Sequence, residues 1–152
     1  MTYEELFYEA QDDGIKIVEM NFESDIKGLY ANNTIAIHNS LKTDSEKRSV
    51  LAEEIGHHYT SCGDILDQSN TNSTKQEKKA RNWAYEKLVG ITSLVNAYKS
   101  GIRNRYELAE YLNVTEDFLD EAIKHFKEKH GMYYQIDNYI VYFDPLGVLE
   151  MF

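Results

Sequence analysis

The segment Leu51-Ala52-Glu53-Glu54-Ile55-Gly56-His57-His58-Tyr59 constrains this chain most, because as a helix its two sides need different surroundings. It follows Thr43-Asp44-Ser45-Glu46, a capping-box pattern in which a hydroxyl and a carboxylate each satisfy the other's free N–H. The pattern predicts a helix running to about Thr60. With Glu53 set at zero, Glu54, His57 and His58 fall near ~100°, ~40° and ~140° around the axis. Leu51, Ile55, Cys62, Tyr59 and Ala52 fill the arc from about 160° to about 260°. One side therefore packs into a core, and the other presents two carboxylates and two imidazoles. Glu53 stands beside His57, and Glu54 beside His58, at i,i+4. Such a face is either a solvated stripe of weak pairs or a place where these groups do chemistry. The helix alone supports both.

Around this helix the chain reads as an ordinary globular α+β protein. Its 152 residues suit one domain, or one with a small appendage. A single proline and eight glycines favour a helix-rich fold over all-β meanders. Sixteen Lys and Arg against 26 Asp and Glu give a net charge of −10, which disfavours nucleic acid or an anionic membrane as partner. Cys62 is the only cysteine, which excludes an internal disulfide and an all-cysteine zinc site. Apolar runs such as Tyr139 to Phe143 are far shorter than the ~18 residues of a membrane span. The acidic start lacks a signal-peptide pattern, so a soluble, cytoplasmic protein is expected.

Leu6, Phe7 and Ala10 predict a short amphipathic helix over residues 2–12, ended by Gly14. Ile15 to Phe22, Gly28 to Ala31 and Thr34 to His38 predict three strands, with Asn32-Asn33 as the turn before the third. Their closeness in sequence predicts a small antiparallel sheet. Thr74-Lys75-Gln76-Glu77 repeats the capping pattern and predicts a second long helix to about Val89. Thr92 to Lys99, Tyr106 to Leu112 and Thr115 to Lys129 predict three more helices, the last stopped by Gly131. Tyr133–Ile136 and Tyr139–Phe143, joined at Asp137-Asn138, predict a hairpin.

The central helix is similar to the His-Glu-x-x-His helix of zinc metallopeptidases, with Glu53 where the first His stands. Glu77, 20 residues after His57, has the spacing of the third ligand in glutamate-type zincins. The run Leu51 to Thr60, then Gly63-Asp64-Ile65-Leu66-Asp67, then Glu77-x-x-Ala80-x-x-Trp83-Ala84-x-x-Lys87-Leu88, strongly resembles the ImmA/IrrE metallopeptidase family. Ile35-Ala36-Ile37-His38-Asn39 resembles that family's edge strand before the active helix. The resemblance covers roughly residues 15–90. The tail from 103 to 146 is similar to the companion helices of phage and mobile-element members.

This resemblance implies a zincin-like metallopeptidase domain over 1–100: a three-stranded antiparallel sheet, an active-site helix and an antiparallel second helix. A helical pair and C-terminal hairpin over 101–152 would pack on it. It implies Glu54 as general base, and Glu53, His57 and Glu77 as ligands of one divalent metal, zinc before manganese or ferrous iron. Two carboxylates and one imidazole form a harder set than two imidazoles and one carboxylate, which shifts preference toward the latter ions. Ile35, Ala36, Ile37 and His38 would form the edge strand that pairs with substrate. The implied activity is anti-repressor endopeptidase, hydrolysing or promoting cleavage of a helix-turn-helix repressor of a phage or mobile element. The Glu53 departure leaves a second reading, a degenerate protein that inactivates the repressor by binding alone.

Other roles compete for these residues. Glu77 also sits at the N3 position of the Thr74 capping box, where its carboxylate would cap an N–H. His58, Asp64 and Asp67 are candidates to hydrogen-bond a ligated imidazole, or are structural. His38 could line the cleft or sit at the surface, and Cys62 reads as a small buried hydrophobe. Tyr106 to Thr115 resembles the opening of a helix-turn-helix. Its second helix carries Glu116, Asp117, Asp120, Glu121 and Glu128 against Lys124, Lys127 and Lys129, five acids to three bases. No direct nucleic-acid contact is expected of it.

Overall fold

A computed structural model describes residues 1–23, 25–60 and 70–151. It divides into two compact units, Met1–Ala84 and Tyr85–Phe152.

The first unit opens with α1 (Tyr3–Asp12), whose Thr2 and Glu5 form a complete capping box. Three strands follow, β1 (Lys16–Met20), β2 (Gly28–Ala31) and β3 (Thr34–His38). Asn32 and Asn33 both take positive φ, 50° and 60°, so the β2–β3 turn is the tight one their side chains tolerate. The sheet order is β1-β3-β2: β3 pairs antiparallel with β2 and parallel with β1. The expected all-antiparallel sheet is therefore a mixed one. The hairpin folds back so that β3, not β2, lies beside β1, and this seats Ile35 and Ile37 at zero exposure. With both its edges paired, β3 cannot accept a substrate strand. Ile35, Ala36, Ile37 and His38 are thus not an edge, and the strand bordering the site on the open side is β2.

The helix α2 (Asp44–Thr60) packs against α1, β2 and β3. Thr43 Oγ1 accepts the Glu46 N–H at 3.1 Å, but the return arm of the capping box reaches Lys42 N instead, at 3.4 Å. Leu51, Ala52 and Ile55 on the apolar arc are buried. The next helix, α3 (Asn70–Leu88), starts before Thr74. Thr74-Lys75-Gln76-Glu77 is therefore helix interior rather than a cap, because the preceding residues already extend the helix. Glu77 is freed from the N3 role.

The second unit contains α4 (Ile91–Lys99), α5 (Arg105–Leu112), α6 (Glu116–His130) and the sheet β4 (Tyr133–Ile136), β5 (Tyr139–Phe143), β6 (Leu146–Glu150) in that order. Asn104 and Thr115 cap α5 and α6, Asn113 turns between them at φ 55°, and Gly131 at φ 84° ends α6. Leu108, Leu112, Val114, Leu119 and Phe126 are buried together with Val141 and Phe143. By contacts, α4 falls in the second unit, which begins at Tyr85. One expectation changes. The hairpin gains a third strand, β6, which pairs antiparallel with β5. No helix among the described residues is long and apolar enough to cross a membrane.

Candidate metal centre and cleft

Two glycines decide how the candidate site is assembled. A Cβ on Gly56 would come within 3.0 Å of the Ala80 Cα and still nearer its carbonyl. Only a bare backbone lets α3 lie this close to α2, and the approach carries Glu77, about one turn before Ala80 on α3, to His57. A Cβ on Gly28 would fall 2.7 Å from Val50 Cγ1 and 2.9 Å from Glu54 Cγ. β2 therefore passes directly over Glu54 and leaves it only partly open to the cleft.

The result is a cleft of about 480 Å³ in the first unit, lined by residues of β2, α2 and α3. His57 Nε2 lies 3.2 Å from Glu77 Oε1. Arg81 Nε donates to Glu53 Oε1 at 3.1 Å. Glu53, His57 and Glu77 each offer a ligand atom, and these atoms lie within 4.8 Å of one another. Bonds of ~2.0–2.2 Å around a tetrahedral ion place neighbouring ligand atoms about 3.4 Å apart. The His57–Glu77 separation already matches that, and the Glu53 ligand atom lies within 4.8 Å of both. One imidazole and two carboxylates are a chemically adequate set for a divalent ion.

The electrostatics follow from this packing. Burial pushes the Glu54 carboxyl up to about 7, the His57 imidazole opposes the rise, and the carboxylates of Glu53 and Glu77 reinforce it. Its hydrogen bond to Glu77 raises the His57 imidazole above its ordinary value, although burial works against it. The same hydrogen bond holds Glu77 below the usual carboxylate range. Glu54 is 8% exposed, the most enclosed carboxylate of the cluster.

His58 faces away from this cluster: its Nδ1 meets the Tyr30 hydroxyl at 2.8 Å. His38 is neither in the cleft nor at the surface. It is buried, with Nδ1 accepting the Ser40 N–H at 3.0 Å, so Nε2 carries the proton donated to the Phe22 carbonyl at 3.1 Å. Asp64, Asp67 and Cys62 lie outside the described residues. Among the cleft residues that went unnoticed in the sequence are Tyr30 and Arg81. Arg81 had a usable signal, since it follows Glu77 by four positions on the same helical face. Tyr30 had none.

A histidine and three carboxylates on two helices, beside the edge of a small mixed sheet, make up a small zincin-like fold of metallopeptidase type. The chain belongs to the IrrE N-terminal-like family: the family description Peptidase_M78, IrrE N-terminal-like domain, matches residues 10–124, well over half its length. No curated protein and no solved structure matches it.

Proposed function

We propose that the protein is a metal-dependent endopeptidase of anti-repressor type, hydrolysing a phage or mobile-element repressor in the cytoplasm. One observation carries this reading: the ligand atoms of Glu53, His57 and Glu77 lie within 4.8 Å of one another beside the buried Glu54, in an open cleft. A divalent ion held by these three residues, zinc before manganese or ferrous iron, supplies Lewis acidity toward a peptide carbonyl and acidifies water. Glu54 takes the proton from the attacking water. A carboxylate near pH 7 is matched to that task at neutral pH. β2 offers an extended substrate the open ladder edge that β3 lacks, so the peptide adds as a strand along Gly28–Ala31.

The second reading, a degenerate protein that captures the repressor without cutting it, is favoured by the glutamate at position 53, where the first histidine of the motif is expected. One experiment separates the two. Purified protein, with its metal content measured, is incubated with the repressor and the products are resolved on a gel. Endopeptidase action requires fragments from the parent and none from Glu54→Gln, whose metal content is unchanged because no ligand is lost. His57→Ala should lose the metal, and His58→Ala should keep it. Repressor that leaves its operator intact in length, with parent and Glu54→Gln alike, establishes the binding reading instead.

A further inference from the structure

We propose that Arg81 is the positioning residue that makes a glutamate workable at position 53, holding its carboxylate in ligand geometry and offsetting its charge. The proposal rests on the metal-site reading above. Arg81 and Glu77 stand at i,i+4 on α3, just as Glu53 and His57 do on α2, so two cross-helix pairs lie one turn apart. Glu53 meets Arg81 at 3.1 Å, and His57 meets Glu77 at 3.2 Å.

The charge arithmetic explains why the first pair matters. Two neutral imidazoles and one carboxylate sum to −1, whereas Glu53, neutral His57 and Glu77 sum to −2. The Arg81 guanidinium returns the set to −1. That relieves repulsion among the carboxylates while reducing the pull on a cation, so the gain Arg81 brings must come from holding Glu53 in place. It does so without consuming the ligand, since one N–H occupies one of the roughly four lone-pair sites of a carboxylate. A second oxygen of Glu53 remains for an ion. As a pair between partly exposed groups, the contact contributes at most ~1 kcal/mol to folding. Its consequence is positional: without Arg81, repulsion from Glu54 and Glu77 turns Glu53 outward.

The test is a double-substitution cycle read by zinc competition against a chromophoric chelator at fixed pH, with circular dichroism checking that each variant is folded. Arg81→Gln in the parent should weaken zinc binding by about 10–100-fold, the usual effect of losing a partner that orients a ligand. Arg81→Lys, which keeps the charge but not the planar donor, should fall between. In the Glu53→His background Arg81→Gln should change affinity less than about threefold, because the carboxylate that Arg81 hydrogen-bonds is gone and only its through-space effect on Glu77 remains. Equal losses in both backgrounds, or undiminished zinc binding by Arg81→Gln in the parent, would overturn the proposal while the metal site stands. If parent and Glu53→His both bind no divalent ion, the metal reading falls and the proposal with it.

Discussion

At the scale of single residues, Glu54 carries the largest consequence for stability. In the metal-free protein its folded-state value is near 7, whereas an unfolded glutamate titrates at about 4.3. A carboxyl raised on folding stabilises the fold fully below the unfolded value, and that contribution is lost as pH rises through 7. Glu54→Gln removes the ionisation and hence the loss. With a chelator present, the variant should gain on the order of 1–3 kcal/mol relative to the parent between pH 5 and pH 8. Thermal melts at the two pH values measure this. A constant difference between parent and variant across the range would show that Glu54 titrates as an ordinary glutamate. The same substitution that, on the proposed mechanism, ends cleavage should thus stabilise the chain, because a carboxyl held near neutrality is kept at a cost to the fold.

At the scale of elements, the contact between α2 and α3 depends on one missing methyl. Glycine inside a helix costs about 1 kcal/mol relative to alanine, so local propensity argues against Gly56. The tertiary contact overrides it, since an alanine Cβ there would collide with the Ala80 backbone, which cannot move like a side chain. Gly56→Ala should lower stability by about 1–3 kcal/mol, the overpacking cost less the recovered propensity. It should also weaken zinc binding, since α3 must shift and carries Glu77 with it. Calorimetry and the chelator assay read the two effects. A variant as stable as the parent with unchanged zinc affinity would mean the helices do not meet at Gly56. β2 uses Gly28 in the same way, as bare backbone over Glu54.

Over the whole molecule, charge and connectivity decide which partners are compatible. The net charge is −10, and the first turn of α6 presents Glu116 and Asp117. Arg105 is committed to Glu116 and Asp120, at 3.1 and 2.9 Å, so it is not available for phosphate. Operator DNA should therefore bind only weakly and with strong salt dependence, in the nonspecific range of ~10⁻⁴ M or poorer. A sequence-specific mobility shift at nanomolar protein would refute this. What the sequence determined by itself is everything set within one or two turns of chain. The helix starts at Thr43 and Thr115, the Asn32-Asn33 turn, the stop at Gly131 and the i,i+4 pairing of Glu53 with His57 all depend on neighbouring residues. Tertiary structure decided what depends on distant backbone. Strand order needs hydrogen bonds between separate segments, so the same three strands allowed β3 as edge or centre. Thr74 has the same local pattern as a cap or as helix interior, and only the residues from Asn70 onward choose. The burial of Glu54 and the reach of Arg81 to Glu53 arise from the close approaches at Gly28 and Gly56, where separate elements meet and no local periodicity records the partner.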